Sequence, residues 1–387
     1  QRQMCIRDRL FVCLNTRSIR ERIFMKTVSG VYTSAKIFTD TIEDYALAQI
    51  QMLCDNEAFK ECRVRVMPDV HPGKAGTIGF TSTIAKRVLP SVVGIDMGCG
   101  ITIARLKQKK VEFQRLDKVI RENVPAGFHI RKKPHRFHEM LILGELRCRH
   151  HVNEKKAVHS LGTLGGGNHF IELDKDEEDG LYVIIHSGSR HLGQEITEHY
   201  LRTGQEQLKE RGLQVPYELT WLEDTLMEEY IGDLSVAVQF AELNRAAILD
   251  ELVKGMKWKV LETWSSVHNY IDISGGERIL RKGAVSAKSG EKVVIPVNMR
   301  DGILLGTGLG NADWNDSAPH GAGRIMKRED VKQRFTVSQF KSEMKGIYCT
   351  CIDKGTLDEA PFAYRGMDEI TERVTDTVRI AQFLRTL

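Results

Sequence analysis

The chain has 387 residues, enough for one large domain or two ordinary ones, and its 41% apolar and 28% charged content suits a soluble globular protein. It contains no run of roughly 18 apolar residues, which excludes a transmembrane helix and membrane partners of that kind. The net charge of +4 permits a polyanionic partner without demanding one. Eight cysteines without framework spacing read as free thiols of a cytoplasmic protein.

Residues 1–24 are basic and lack the apolar stretch and small-residue cleavage site of a secretory signal. Their composition differs from that of the rest of the chain, and Met25 makes a natural start. They are expected to be an artefactual leader, leaving residues 25–387 as one continuous domain. Residues 40–60 carry a helical period through Ile42, Tyr45, Ala46 and Ile50, with Asp40 or Thr41 as cap. RVRVMPDVHPGKAGTIGF alternates and then breaks at Pro68 and Pro72, which predicts a strand running into a long loop. SVVGIDMGCGITIARL predicts a buried strand, a glycine-rich turn and a second strand. Residues 111–160 look helical and basic, with HIRKKPHRFHEM at the centre.

LGTLGGGNHFIEL reads as a glycine loop entering a strand, and LYVIIHSGSRHLG as an apolar strand followed by polar loop residues. Residues 190–212 and 233–260 are the clearest helices. KVVIPVNM and GILLGTG are strands, and the C-terminal part mixes a loop, EAPFAYRGMDEI, with a final helix. Strands and helices do not alternate regularly enough for a doubly wound sheet, so the expected fold class is α+β: a mixed β core, flanking helices and glycine-rich loops.

Several segments share one feature. Each ends an apolar strand, or opens a glycine-rich loop, with a residue able to bind a metal: Asp96 and Cys99 in GIDMGCG, His169 in GGGNHF, His186 in IIHSGSR and His268 in SSVHNY. Imidazole, thiolate and carboxylate together suit Mn²⁺ or Zn²⁺ better than Mg²⁺ or Ca²⁺, and a cysteine bridging two ions would explain a single thiolate. A second pattern is anion binding. GTLGGGNH, HSGSRH, GTGLGN and HGAGR offer small residues and exposed N–H groups that can nest a phosphate, with Arg190 and Arg324 as bidentate partners. The P-loop, zincin and K-x-D-G patterns are absent, so covalent nucleotide activation would need another nucleophile, and histidine can serve. Cys349 and Cys351 form a C-x-C pair with no second pair to complete a zinc site.

PDVHPGKAGTIG, VVGIDMGCGI, LGTLGGGNHFIEL, IIHSGSRHLG, HNY, RKGAVSA and SAPHGAGR, in this order, resemble the RtcB RNA ligases, in wording close to the short bacterial branch. The resemblance implies an enzyme that uses GTP and two Mn²⁺ ions. It joins RNA ends bearing a 2′,3′-cyclic phosphate or 3′-phosphate to 5′-hydroxyl ends, in RNA repair or tRNA splicing, with an archease-like activator as a candidate partner. It implies His320 as the nucleophile that takes GMP and Asp69 as its orienting carboxylate. Asp96, Cys99, His169, His186 and His268 would be the metal ligands of a dinuclear cleft. Asn168, Phe170, Glu172, Asn269, the run Pro296, Val297, Asn298 and Met299, and Gly321, Ala322 and Gly323 would line the nucleotide pocket, with Tyr364 on the base. Basic residues in 129–136 and Arg190 would meet the RNA backbone. Two departures stand out: Ile303 lies where the family commonly shows a serine near the base, and no lysine follows Lys354, which suggests truncation at the C-terminus and weaker guanine contacts. A metal-dependent cyclic phosphodiesterase that does not ligate, or an RNA-binding scaffold with a decayed site, are the competing readings.

Overall fold

The computed structural model describes residues 25–387, so the expected leader lies outside the described residues. The fold is α+β, built on two sheets. The first has six strands, in the spatial order Lys26–Ser29, Ser34–Ile37, Val64–His71, Ile78–Thr83, Ile279–Lys282 and Asn269–Asp272. Only Ser34–Ile37 and Val64–His71 pair in parallel. The second has seven antiparallel strands, in the order Val260–Val267, Gly100–Leu106, Leu181–Ser187, Phe170–Lys175, Val378–Thr386, Gly302–Gly308 and Lys292–Asn298.

The second sheet is apolar on both faces, and its sequence shows why. In LYVIIHS, Leu181, Val183 and Ile185 point one way and pack on Ile248 and Leu252 of the helix Asp224–Met256. Tyr182 and Ile184 point the other way, onto Val294, Ile303, Leu305 and Leu384. Those residues belong to the far end of the same sheet, so the sheet curls over itself. Its two edges meet where Lys292 pairs with Glu262 and lies 4.3 Å from the Trp264 ring centroid. Each fully buried Leu, Ile or Val here contributes roughly 1.5–3 kcal/mol.

The structure corrects several sequence expectations. The first helix begins at Asp44, not near Asp40, because the Asp40 and Thr41 side chains bond the guanidinium of Arg373. Pro68 does not end its strand. Pairing between Val64–His71 and Ile78–Thr83 skips from Val66 to His71, and this bulge takes up the proline's missing N–H while re-aiming Asp69. Pro90 opens a helical turn, Pro90–Val93, where a strand was expected. The region 111–160 is helical only at Phe113–Asn123 and Glu154–Ser160. Between them Pro125, Gly127 and Pro134 leave a loop with short 3₁₀ turns, pinned where Arg136 and His135 meet Asp250. At the other end, the segment expected to close the chain as a helix is the strand Val378–Thr386. Val378 and Ile380 pack on one face of the sheet and, past a bulge between Ile380 and Gln382, Leu384 packs on the other; the helix Met367–Arg373 precedes the strand.

The helix Asp224–Met256 carries, besides Asp233, two fully buried polar residues that the apolar pattern conceals. Asn244 Oδ1 accepts from the N–H groups of Gly162 and Thr163 at 2.8 and 3.1 Å, and its Nδ2 donates to Thr163 O, Ser187 Oγ and Gly188 O. Arg245 donates to Gly98 O and Ser187 O, both at 2.9 Å, and to Thr102 Oγ1 at 3.1 Å. The two side chains tie together three of the loops that hold the sequence's metal-binding candidates, those of Cys99, His169 and His186. Asn244→Ala would strand the two N–H donors in a dry interior, so it is expected to cost about 2–4 kcal/mol of stability. Thermal or urea unfolding measures it; a loss under about 0.5 kcal/mol would contradict this role.

Candidate functional site

Each candidate metal residue sits where a rigid strand gives way to a loop. His186 is at the end of Leu181–Ser187, and His268 joins the strands Val260–Val267 and Asn269–Asp272. His169 precedes Phe170–Lys175, and Asp96 and Cys99 precede Gly100–Leu106. The loops must pack tightly for these residues to meet: a Cβ on Gly188 would lie 2.1 Å from the Asp96 carboxylate. Two groups result. Cys99, His186 and His268 form one and Asp96, Cys99 and His169 the other, with the ligand atoms of each within 4.8 Å of one another. Cys99 belongs to both, its sulfur 3.2 Å from His186 Nε2 and 3.5 Å from His169 Nε2.

The donor set fits metal ions for a reason of hydrogen-bond arithmetic. His186 Nδ1 donates to Asn168 O at 2.9 Å, which leaves a lone pair on Nε2, yet that atom faces His268 Nε2 at 3.3 Å. His169 Nδ1 donates to Leu164 O at 2.8 Å, and its Nε2 faces Asp96 Oδ2 at 3.2 Å. The His186 Nε2 lone pair therefore points into the cluster, where a bound cation would take it. Burial, reinforced by neighbouring histidines, keeps the imidazoles neutral: His186 is pushed down to about 3 and His268 well below its ordinary value. Burial alone would raise Asp96, but the hydrogen bond and charge of His169 override it and hold the carboxylate ionised. Burial and Asp96 push the Cys99 thiol up, so an arriving cation displaces its proton. The buried guanidinium of Arg245 and ammonium of Lys282 oppose that rise.

His320 lies beside this cluster, its ring centroid 4.8 Å from that of His268. The strand Ser317–Pro319 delivers it, and the bulge in Val64–His71 brings the fully buried Asp69 to meet it. Asp69 Oδ2 accepts from His320 Nδ1 at 2.7 Å and from the His320 backbone N–H at 3.2 Å. A carboxylate can only accept, so Nδ1 carries a proton, and in the neutral ring the lone pair is on Nε2. The small residues of HGAGR are required here: Gly323 has φ +80°, and a Cβ would sit 2.6 Å from Asp69 O.

His169, His186, His268 and His320 line a cavity of about 380 Å³, a size suited to a small ligand. Asn168, Phe170, Glu172, Pro296, Val297, Asn298 and Met299 line it, as do Gly321, Ala322, Gly323, Arg324 and Tyr364. Asn269 does not: its side chain donates to Asp96 O and accepts from Gly283 N–H, tying the loops together. Arg190 also lies off the cavity lining, bonded to Thr163 Oγ1 and Gly127 O. Arg324 lines the cavity, but its guanidinium is engaged by Asp358 O, Glu359, Met326 O and the Tyr364 hydroxyl. Ile303 faces the buried core, not the cavity, so the expected loosening of base contacts has no geometric basis at that position. In the basic segment, Arg131 and Arg136 are paired with Glu251 and Asp250, whereas Lys132 and Lys133 are exposed.

Three features escaped the sequence. Asn244 and Arg245 are one. Another is Asp174, two residues from Glu172 on the same strand face, fully buried with no hydrogen-bond donor for either oxygen. Its neighbour Glu172 is also an acceptor, so burying both as carboxylates is unfavourable and proton uptake is favoured. Burial pushes Glu172 up from 4.5 to about 7 and Asp174 well above its ordinary value. A carboxyl raised in the folded state destabilises the fold as it ionises, so stability falls as pH rises from about 4.5 through about 7. Glu172→Gln is expected to flatten that slope in a melting-temperature series; an unchanged slope would refute the assignment. The third feature is the approach of Cys349 to Cys351 in the cavity lining.

A family model described as tRNA-splicing ligase RtcB matches residues 53–146 and 139–387. Among curated proteins, the RNA-splicing ligase RtcB of Escherichia coli K12 is 30% identical, over 83% of this chain and 88% of its own length. RNA-splicing ligase RtcB1 of Escherichia coli ATCC 25922 matches to the same extent. The tRNA-splicing ligase RtcB of Pyrobaculum aerophilum is 28% identical, over 79% and 82% of the two chains.

Proposed function

Because the chain belongs to the RtcB family, we propose that it is an RNA ligase that joins RNA 2′,3′-cyclic phosphate or 3′-phosphate ends to 5′-hydroxyl ends, using GTP. The observation that carries this reading is the pairing of His320 with the buried Asp69, which leaves Nε2 as a free lone pair beside the cluster. A phosphodiesterase built on the metal cluster alone would not need this imidazole. Asp96, Cys99 and His169 would hold one divalent ion and Cys99, His186 and His268 the other, Mn²⁺ being the metal the resemblance implies. Bound there, the ions supply positive charge beside the phosphates.

The chain's own residues carry the remaining chemistry. His320 Nε2 attacks the α-phosphorus of GTP, the P–O bond to pyrophosphate breaks, and GMP is held as a phosphoramidate. Asp69 keeps the proton on Nδ1 and stabilises the positive charge that develops on the ring. Glu172 accepts from the base, and Phe170 and Tyr364 pack against it. The RNA 3′-phosphate takes GMP from His320, and the 5′-hydroxyl then displaces GMP in line to form the phosphodiester. Lys132 and Lys133 are the cations of the basic segment left exposed for the RNA backbone. Among the described residues, no helix is long and apolar enough to cross a membrane; a cytoplasmic RNA repair or tRNA splicing role, with or without an archease-like activator, belongs to this proposal.

The test is to incubate the purified chain with Mn²⁺ and α-labelled GTP, then denature it. The expected result is a covalent label stable to alkali, lost in acid and mapping to His320. A fully metallated, folded chain that acquires no label would sink the nucleotidyl-histidine mechanism.

A further inference from the structure

Cys349 and Cys351 take no part in RNA joining as proposed for this chain, yet both line the cavity. The chain bends at Thr350 and brings their sulfurs within 3.4 Å. The bend is anchored on the helix Phe113–Asn123 and on Leu387. Thr350 Oγ1 donates to Asp117 at 2.7 Å and accepts from Arg121 at 3.1 Å, both on the helix Phe113–Asn123. Tyr348 stacks on Phe113 with centroids 4.8 Å apart, and its N–H donates to Leu387 O at 3.2 Å. Cys349 is half-buried and Cys351 exposed, whereas the other described cysteines, Cys54, Cys62, Cys99 and Cys148, are buried. An oxidant therefore reaches this pair first. The hydrogen bond from the Cys351 thiol holds Cys349 down to about 7, so much of it is thiolate near neutral pH. Cys349 is also close enough for its charge to raise Glu172.

We propose that Cys349 and Cys351 are a reversible thiol–disulfide pair, oxidised by hydroperoxides, whose bridge weakens purine nucleotide binding in the adjoining cavity. The Cys349 thiolate attacks one peroxide oxygen; the O–O bond breaks, the other oxygen takes up a proton and leaves as water from hydrogen peroxide or as an alcohol from an organic hydroperoxide, and Cys349 becomes a sulfenic acid. Cys351 sulfur then attacks the Cys349 sulfur, and the hydroxyl leaves as water with the Cys351 proton. Two electrons pass from the sulfurs to the peroxide. Closing the bond draws the sulfurs from 3.4 Å to about 2.05 Å. That displaces the wall from Ile347 to Cys351 against its anchors. A bridge across one intervening residue is strained and exposed, so thiol reductants reopen it readily.

The nucleotide half of this proposal rests on the cavity being the GTP pocket; the disulfide half does not. The experiment treats the full chain with graded hydrogen peroxide, caps remaining thiols with N-ethylmaleimide under denaturing conditions and weighs the tryptic peptide 346–354. That peptide is expected to lose two hydrogens and escape capping at doses that leave Cys54, Cys62 and Cys148 capped, and dithiothreitol reverses the change. In Cys351→Ser, a dimedone-reactive sulfenic acid accumulates at Cys349. Calorimetry with GTP is expected to show affinity falling about fivefold on oxidation, with no change on peroxide treatment of Cys349→Ser/Cys351→Ser. Capping of both thiols at every dose overturns the disulfide. A bridge that leaves GTP affinity unchanged overturns the gating. Absence of GTP binding even in the reduced chain overturns the cavity reading and the gating with it, while the peptide masses still decide the disulfide.

Discussion

Alanine at position 320 is expected to abolish the GMP adduct and RNA joining, by at least about 10³-fold, with no loss of metal binding. The size follows from chemistry, since no other imidazole among the described residues of the cavity has a free nitrogen supported by a buried carboxylate. His186 and His169 spend Nδ1 on backbone carbonyls and aim Nε2 into the cluster. The fold should tolerate the change, because Asp69 Oδ2 keeps the donor from the backbone N–H of residue 320. The same variant separates the ligase from a phosphodiesterase built on the cluster alone. On the ligase reading, ligation of RNA carrying a 3′-phosphate disappears while two ions still bind. If joining persists in His320→Ala, the nucleophile has been misassigned.

Cys99→Ala is expected to weaken both ions together, each by about 100-fold or more, because one sulfur serves both groups. His169→Ala and His268→Ala should each weaken one ion and largely spare the other. Titration calorimetry with Mn²⁺ gives the stoichiometry directly. The apo fold should lose only about 1 kcal/mol, since a small buried thiol is being trimmed to a methyl, so melting temperatures should diverge with metal present and nearly coincide in chelator. A Cys99→Ala chain that still binds one ion at wild-type affinity would show that the sulfur is not shared.

The parts of the fold legible in the sequence are those whose signal is local. GITIARL and LYVIIHS are apolar runs bounded by glycine and polar loops, and each has a candidate ligand at its end. HGAGR announces a loop whose backbone must be approached closely. What was hidden depends on partners distant in sequence. VRIAQFLRT is as apolar as an amphipathic helix, and only its pairing with Gly302–Gly308 and Phe170–Lys175 makes it a strand. Pro68 looks like a strand breaker until the partner strand skips past it. Asn244 and Arg245 resemble polar positions on an exposed helix face, and their value appears only when three loops converge on them. The Cys349–Cys351 approach depends on a bend at one residue, which composition does not reveal.

The strand Val378–Thr386 lies in the interior of the seven-stranded sheet, between strands that begin at residues 170 and 302. Protein synthesis proceeds from the N-terminus, so this central strand emerges after every strand it must join. The residues of the metal cluster, from Asp96 to His268, are all in place well before it. The wall carrying Glu172 has Thr386 as its hydrogen-bonding neighbour and must wait for it. A nascent chain thus gains the means to hold cations before it can enclose a nucleotide, and the last sheet closure is also the step with the longest sequence separation to overcome.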